Sequence, residues 1–418
     1  MKERRIVVTG IGVLSSIGNN LNEYWNSLIN GVSGAAPITL IDTSKLKTKF
    51  ACEIKGFDPI NYVDKKDTKR LDRFSQIAIA ASIEAVADSG LLNNPLIDND
   101  RVGVILASGI GGLSSLYNEV NDNYNVQDLY RYSPFFIPKM ILDIAAGHIS
   151  MRYGFRGPNF AVVSACASST HGIMVAADNI KLGRADIILA GGSEAVIEIC
   201  GISGFNSMKA LSERNNDYAT ASRPYDKTRD GFVMGEASGI LVLEEYEHAK
   251  KRQAKIYCEY IGGGATADAY HLTAPHPDGL GAKNVMKAAL KEAGITPNDV
   301  DYINSHGTST PLGDISEVKA IQEVFGEHVY KLNISSTKSM TGHCLGAAGA
   351  IEAIACVKAV QENKIPPTIN HQVIDENFDP KINFTFNKFQ EREVNVAISN
   401  TFGFGGHNSC VVFRKIQP

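Results

Sequence analysis

Cys166 lies where a predicted strand gives way to a predicted helix. It stands within AVVSACASSTHGIMVAA (161–177), in which a β-branched run is followed by small residues. A thiol at a helix N-terminus faces unpaired N–H groups and the positive end of the helix dipole, which favour the thiolate and lower its pKa. The same N–H groups can hold an oxyanion. Taken alone, the stretch leaves two interpretations, a nucleophile or a buried inert cysteine.

Two histidines occupy similar boundaries further along the chain. His306, in NSHGTSTPLGD, follows a predicted strand, and His343, in STKSMTGHCLGAAGA, precedes a predicted helix of small residues. Each histidine alone is more often structural than catalytic. Together with Cys166 they indicate acyl transfer through a thioester, with two imidazole N–H groups donating to a second carbonyl.

A glycine-rich segment, Phe402–Asn408, reads FGFGGHN and follows the predicted strand VNVAIS. Glycine permits positive φ and a close approach of two backbones. The segment is interpreted either as a mobile loop that brings an N–H group and a phenylalanine gate to the site, or as a tight turn beside a core phenylalanine.

The elements that must position these residues occur twice in the same order. Each copy has a strand, a helix, a strand, a helix rich in small residues (Ala167–Leu182 and Gly346–Val360) and two closing strands. Helices that alternate with strands predict an α/β fold with mostly parallel sheets covered on both faces. The halves are placed at 1–250, with the cysteine, and 251–418, with both histidines. Small-residue helices suit a buried layer, so the loops of both halves should meet at one cleft.

Composition excludes several classes of protein. The chain has 418 residues, 44% hydrophobic and 21% charged, which suits two domains or one large double domain. A net charge of −4 and a pI near 6.2 argue against nucleic-acid binding. Seven cysteines without a CxxC spacing predict neither disulfides nor a metal site, and a reducing cytosol is expected. The start, MKERRIVVTG, is not a signal peptide, and residues 157–177 are too polar for a membrane span.

The motifs SACASS, HGTSTPLGD, SSTKSMTGHCLGAAGAIEA and SNTFGFGGHN resemble those of β-ketoacyl-[acyl-carrier-protein] synthases. The resemblance covers essentially the whole chain and is strongest to the type II condensing enzymes of fatty-acid synthesis. It implies a thiolase-like fold, a duplicated αβαβα arrangement of five layers, and a homodimer. The implied activity elongates an acyl chain by two carbons through decarboxylative condensation with malonyl carrier.

The resemblance also implies roles for individual residues. Cys166 matches the nucleophile, and His306 and His343 match the pair that binds the malonyl thioester carbonyl. Lys338 matches the active-site lysine and Glu352 its buried acidic partner. A nearby cation disfavours imidazolium, and a buried lysine needs a compensating carboxylate, so these assignments agree with electrostatics.

Three further positions match residues around the acyl chain. Phe404 matches the gating phenylalanine, whose N–H would join that of Cys166 in the oxyanion hole. Phe402 is expected to contact substrate in the same loop. Ile110, in ASGIGG, matches a residue whose bulk limits chain length in the acyl pocket.

Thr308 and Thr310 match threonines that bind a phosphopantetheine arm. His271, in DAYH, matches a histidine near the site with a secondary role. His407 stands where threonine is also common in the family, and we expect it to alter polarity near the gate without a chemical role.

The implied partner is an acidic acyl carrier protein, which itself carries the phosphopantetheine, so no metal or organic cofactor is expected. A basic patch would steer such a partner. The alternative interpretation of the patch is a solvated helix start. Its expected members are Lys65, Lys66, Lys69, Arg70 and Lys209.

Other functions are weaker alternatives. VVTGIGVLSSIG has Gly10 and Gly12 after a strand, but Ser15 stands where a dinucleotide fingerprint needs its third glycine. A non-catalytic chain-length factor would lack the nucleophile, which Cys166 supplies. Among enzymes, the alternatives are a type I β-ketoacyl synthase and a polyketide ketosynthase.

Overall fold

The structure is a computed structural model that describes residues 4–124 and 130–417. The strands in these residues are β1 (Ile6–Ser15), β2 (Ala36–Pro37), β3 (Phe50–Ala51), β4 (Val102–Ala107), β5 (Asn159–Phe160), β6 (Ile187–Glu194), β7 (Ala237–Glu245), β8 (Cys258–Ala267), β9 (Tyr302–Asn304), β10 (Asn333–Ser335), β11 (Lys364–Ile365), β12 (Gln390–Glu391), β13 (Val396–Gly403) and β14 (His407–Arg414). The α-helices are α1 (Leu21–Ile29), α2 (Lys65–Thr68), α3 (Arg73–Ser89), α4 (Leu113–Asn123), α5 (Phe136–Met140), α6 (Ile144–Tyr153), α7 (Ser168–Lys181), α8 (Ile199–Ser207), α9 (Tyr246–Lys251), α10 (Leu280–Glu292), α11 (Pro311–Phe325), α12 (Lys338–Thr341) and α13 (Ala348–Glu362).

The main sheet repeats one strand order on either side of a central junction. Its order is β10-β9-β13-β14-β8-β1-β7-β6-β4-β5, and β1 meets β8 in the middle through a short antiparallel pairing. Read outward from this junction, β1-β7-β6-β4-β5 corresponds to β8-β14-β13-β9-β10. The repeated order of elements in the sequence thus has a counterpart in the sheet, while the division of the chain at 250 and 251 remains a prediction.

The expectation of mostly parallel sheets is wrong. Within the described residues β4 is parallel to β5 and β6, and β9 to β10 and β13, but β7 and β14 run antiparallel to both of their neighbours. The physical reason is the connection before each closing strand. A short turn joins β13 to β14, and so tight a turn can only reverse the chain. The excursion through α8 likewise returns the chain beside β6 in the opposite direction.

Helices α7 and α13 form the buried middle layer between the two halves of the sheet. Helix α7 packs on β4, β6 and β7, α13 packs on β13 and β9, and the two helices pack on each other. Helices α3 and α6 cover one outer face, and α10 with α11 the other. A Cβ atom at Gly349 would overlap the Thr170 hydroxyl, so only a small residue allows this approach. The five-layer αβαβα arrangement expected from the sequence is confirmed.

Gly10 and Gly12 serve helix packing and form no nucleotide loop. Both lie inside β1, which continues to Ser15 without the strand-to-helix turn that a phosphate site needs. A Cβ atom at Gly10 would come within 2.6 Å of the Ala85 carbonyl oxygen, and one at Gly12 would overlap that of Ala81. The two glycines therefore let α3 rest on the strand backbone, and the dinucleotide hypothesis is wrong at this position.

A search of the helices in residues 4–124 and 130–417 finds none with the length and apolar content to cross a bilayer. This agrees with the rejection of residues 157–177 as a membrane span.

We expect Gly12→Ala to destabilise the fold by about 1–3 kcal/mol, because the added methyl group meets backbone that cannot retreat. Gly147→Ala is the matched control, since a Cβ atom there meets no atom within 4 Å. That helical substitution should be neutral or stabilising by about 0.5–1 kcal/mol. Denaturant unfolding of both variants gives the comparison, and a Gly12→Ala midpoint equal to wild type would contradict the packing role.

Candidate active site

The candidate nucleophile lies in a strained turn that precedes a helix. Cys166 occupies a 3-10 turn, Ala165–Ala167, which we call the nucleophile turn, and α7 begins directly after it. Ala165 has φ of +51°, a region that non-glycine residues rarely adopt and that often marks functional sites. The Ser168 hydroxyl holds this conformation by accepting from the Ser164 N–H at 2.8 Å and donating to the Ala165 carbonyl at 2.6 Å.

The expectation of a lowered thiol pKa is wrong for the resting site. Burial raises the pKa of Cys166 to about 12. The positive charge of Lys338 and the N–H groups of Phe404 and Cys166 act in the opposite direction, and Glu194 adds to the rise. The helix end is therefore present but does not compensate for loss of solvent, and the resting side chain is a thiol at neutral pH. The same two N–H groups are those expected in an oxyanion hole.

His343 is the nearest base to the thiol. Its Nε2 lies 3.1 Å from Sγ of Cys166, and both side chains are buried. The His343 N–H donates to the Val233 carbonyl at 2.7 Å, and its carbonyl accepts from Gly235 at 3.0 Å. Phe232 packs edge-on against the ring, with centroids 5.2 Å apart. Backbone and ring are both held, so the position of Nε2 is well determined.

His306 approaches the same point from the loop after β9. Its ring is perpendicular to that of His343, with centroids 5.3 Å apart. Its backbone N–H donates to Glu317 at 2.8 Å, as does that of Gly307. Nδ1 of His306 and Nδ1 of His343 have no hydrogen-bond partner among the described residues. Nε2 of His343 is the nitrogen that faces the Cys166 sulfur.

A buried ion pair lies beneath the histidines. Nζ of Lys338 pairs with Oε1 of Glu352, and the two side chains are at most 1% exposed. Burial and the charge of Lys338 hold the pKa of His343 well below its usual range, and burial, Lys338 and His343 do the same for His306. Burial raises the pKa of Glu352 to about 7, which Lys338 opposes. Both imidazoles are therefore neutral at physiological pH, as the sequence predicted.

The glycine-rich segment forms the tip of the β13–β14 hairpin. Phe402 packs on His306, with ring centroids 5.5 Å apart, and Phe404 lies 6.3 Å from the Phe205 ring. A Cβ atom at Gly403 would stand 2.7 Å from the Ser164 carbonyl oxygen and 3.1 Å from the Cys166 nitrogen. Glycine at this position brings the hairpin against the nucleophile turn, so both earlier interpretations hold in part. It is a tight turn, and it delivers the Phe404 N–H to the sulfur.

Cys166, His306, His343 and Phe404 border one cavity of about 630 Å³. Ile110, Thr308, Thr310 and Phe402 line it, as expected, and Lys209 stands at its mouth. The hydroxyls of Thr308 and Thr310 form a hydrogen bond with each other at 2.9 Å.

His271 does not contact the reacting groups. Its exposed ring accepts the N–H groups of Thr273 and Ala274 at 3.1 Å and so organises its own loop beside the cavity. This placement near the cavity is compatible with the secondary role expected from the sequence.

The basic patch has fewer available basic side chains than the sequence of this segment suggests. The side chains of Lys65, Lys66, Lys69 and Arg70 are exposed. Arg73 belongs to the same run of charges but forms two hydrogen bonds, at 2.6 and 2.7 Å, with the buried Glu236, and is therefore not available to a partner.

Sequence reasoning missed two buried carboxylates that shape the site. Glu317 binds the backbone of the His306 loop, and Glu194 binds the loop that carries Ile110. Each lies among apolar residues, Glu317 before Val318 and Glu194 at the end of a buried strand. A charged residue at an inward-facing position was the available signal.

Comparison with known proteins places this geometry in a family. The β-ketoacyl synthase N-terminal domain model matches residues 3–249, and the C-terminal domain model matches residues 257–372. A 3-oxoacyl-[acyl-carrier-protein] synthase 2 of Synechocystis is 47% identical and covers 100% of this chain and 99% of its own. The protein of the same name from Coxiella burnetii is 46% identical, with complete coverage of both chains.

Solved structures agree in fold. A type II polyketide ketosynthase, solved with its acyl-carrier protein and a hexaketide, superposes with a TM-score of 0.91 at 32% identity and covers 100% of both chains. A β-ketoacyl synthase from Burkholderia phymatum gives 0.90 at 32% identity, covering 99% of this chain and 100% of its own. The chain therefore belongs to the β-ketoacyl synthase family of thiolase-fold condensing enzymes.

Proposed function

We propose that this chain is a 3-oxoacyl-[acyl-carrier-protein] synthase of type II fatty-acid synthesis, with Cys166 as the acylated nucleophile. The observation that supports this assignment most directly is the 3.1 Å approach of His343 Nε2 to Cys166 Sγ, with the His306 ring beside it. A thiol, two neutral imidazoles and two N–H groups on one cavity suit thioester exchange followed by carbonyl activation.

In the first half-reaction Cys166 Sγ attacks the thioester carbonyl of an acyl carrier. The high pKa of the resting thiol means that its proton must leave as sulfur attacks, and Nε2 of His343 is placed to accept it. The N–H groups of Cys166 and Phe404 hold the oxyanion. The carbon–sulfur bond to the carrier then breaks, the carrier thiol takes the proton, and the acyl group remains on Cys166.

In the second half-reaction the thioester carbonyl of a malonyl carrier accepts hydrogen bonds from Nε2–H of His306 and His343. The bond to the malonyl carboxylate breaks, CO₂ departs, and the electron pair forms an enolate whose oxygen stays between the two rings. The enolate carbon attacks the Cys166 thioester, a carbon–carbon bond forms, and sulfur leaves as a thiolate that solvent protonates. No group in residues 4–124 or 130–417 binds Nδ1 of either ring, so each ring can carry its proton on Nε2 at this stage.

The carrier supplies the phosphopantetheine arm in this scheme. Thr308 and Thr310 line the cavity beside His306 and present hydroxyls to an arm rich in amide groups. Lys209 at the mouth and the exposed Lys65 and Lys66 present positive charge to an acidic carrier.

We also propose a homodimer, working in the cytosol. Strand β5 is the last strand of the sheet, and its Phe160 and the following Val163 are 37% and 57% exposed. An apolar sheet edge of this kind favours pairing with a second copy.

A polyketide ketosynthase is the alternative within the family. The solved type II polyketide ketosynthase shares 32% identity with this chain, whereas the two 3-oxoacyl-[acyl-carrier-protein] synthases 2 share 46–47%. The lengths of the products from one incubation without reducing enzymes separate the two. A single two-carbon extension indicates a fatty-acid enzyme, and a series of longer products indicates a polyketide ketosynthase.

We expect Cys166→Ala to lose elongation by at least about a thousandfold, because no acyl-enzyme can form. Cys166→Gln should still release CO₂ from malonyl carrier, since His306 and His343 remain. Intact-protein mass measures acylation, and Cys200→Ser, which alters an exposed cysteine, is the control. Elongation by Cys166→Ala would refute the proposed nucleophile.

Removal of the buried cation should change the pH dependence of decarboxylation. In a Cys166→Gln background, Lys338→Met with Glu352→Gln removes both charges of the pair and leaves no unpaired buried ion. Lys338 holds the pKa of both histidines low, so its loss lets those pKa values rise. Activity needs neutral imidazole, so the acid limb of the rate profile should move to higher pH. Lys388→Met is the control, and an unmoved acid limb would contradict the electrostatic role.

Reversing charge in the patch should weaken carrier binding. We expect Lys65→Glu with Lys66→Glu to raise KM for acyl carrier about three- to tenfold at low salt with little change in kcat. Lys287→Glu with Lys291→Glu changes net charge equally on α10 and should not alter KM. An equal effect of both pairs would assign the result to net charge instead of a local surface.

A further inference from the structure

Glu194 is a buried carboxylate held entirely by hydrogen-bond donors. Its side chain is inaccessible to solvent, and no cation among the described residues pairs with it. Oε1 accepts from the Ser108 hydroxyl at 2.9 Å and from the N–H groups of Ile110 and Gly111 at 3.2 and 3.3 Å. Oε2 accepts from the N–H groups of Gly109 at 2.7 Å and Gly346 at 3.0 Å.

These donors suit an ionised side chain. Four of the five are N–H groups, which can only donate, and the Ser108 hydroxyl already accepts from the Gly111 N–H at 3.1 Å. A protonated Glu194 could donate its proton only to the second lone pair of the Ser108 oxygen, and the Ser108 hydroxyl would then no longer donate to it. Burial raises the pKa of Glu194, and the hydrogen bonds oppose that rise.

The carboxylate joins two walls of the cavity that come from different halves of the chain. The loop 108–111 follows β4 and carries Ile110, while Gly346 belongs to a second 3-10 turn, Leu345–Ala347. Ile110 and Leu345 both line the cavity beside Cys166. A Cβ atom at Gly109 would lie 2.7 Å from Oε2 and 3.3 Å from the Ala165 carbonyl oxygen, so this loop also abuts the nucleophile turn.

We propose that Glu194 is a positioning residue that fixes the Ile110 loop against the Leu345 turn and thereby sets the length of acyl chain that Cys166 accepts. The inference rests on the proposed function, in which the acyl group enters this cavity. Ile110 is 37% exposed, so its side chain is held in place chiefly through its backbone. If the backbone is released, the side chain moves, and a longer chain can pass it.

Glu194→Gln is the informative change. It keeps the size of the side chain but turns an NH₂ group toward N–H donors, whichever way the amide is placed. Glu244→Gln is the matched control, because Glu244 is also fully buried and hydrogen-bonded, to Arg252, His248 and Thr9, on β7. Thermal unfolding of both variants establishes that they fold.

Two measurements read the pocket independently. The first is the ratio of twelve-carbon to four-carbon acyl carriers elongated, compared by kcat/KM. The second is the ratio of rates at which N-dodecyl and N-butyl iodoacetamide alkylate Cys166, scored by mass. A ratio cancels any change in the reactivity of the thiol, which Glu194 also influences.

We expect Glu194→Gln to raise both ratios at least about threefold, while Glu244→Gln leaves them unchanged. Decarboxylation of malonyl carrier in the Cys166→Gln background should stay within about twofold, since the histidines do not contact Glu194. Unchanged ratios in folded Glu194→Gln, or an equal rise in Glu244→Gln, would overturn the proposal.

If Glu194→Gln does not fold, Ser108→Ala replaces it, because that change removes one donor and leaves the carboxylate. A smaller rise in the same direction supports the proposal, and no rise overturns it. If wild type elongates no acyl carrier, the proposed function fails. The alkylation ratio still decides the role of Glu194 in that case.

Discussion

The site depends on the close contact of helices α7 and α13. Gly349 lets the two backbones meet at Thr170, and Ser169 of α7 accepts the Ala350 N–H at 2.9 Å, so one helix caps the first turn of the other. The nucleophile turn and the Leu345 turn precede these helices and lie side by side in consequence. A side chain larger than hydrogen at Gly349 would separate the helices and with them the two halves of the site.

The buried charged side chains around the site have two different roles. Burial and Lys338 lower the pKa of His306 and His343, Lys338 opposes the rise at Cys166, and Glu352 compensates the lysine. Glu317 and Glu194 contribute nothing comparable to ion pairing but bind backbone N–H groups and so hold loops. Burial and one cation together keep two bases neutral, whereas Glu317 and Glu194 act mainly as fixed points for the chain.

Much of this arrangement follows from local pattern. The order of elements repeats, and strand ends therefore bring Cys166 and His306 to one cavity, as the sequence predicts. Strand direction was predicted wrongly. It depends on where the connection before a strand brings the chain back to the sheet, and hydrophobic periodicity does not show in which direction a strand runs. Glu317 and Glu194 were missed because their partners are mainly backbone N–H groups of other loops, and only their inward-facing positions signalled a role. The thiol pKa was misjudged because a helix end is visible in sequence but the loss of solvent around it is not.

The raised pKa of Cys166 affects how the enzyme controls its nucleophile. A thiol with pKa about 12 is a weak nucleophile until its proton can leave. In the proposed mechanism the base that accepts this proton, His343, also donates later to the malonyl thioester carbonyl. The N–H groups of Phe404 and Cys166 gain most when negative charge develops on a substrate oxygen, so their contribution is larger in the transition state than in the resting site. The buried thiol should therefore react slowly with solutes that do not place a carbonyl oxygen in the oxyanion hole. A bound thioester does place its carbonyl oxygen there and so promotes attack by the sulfur.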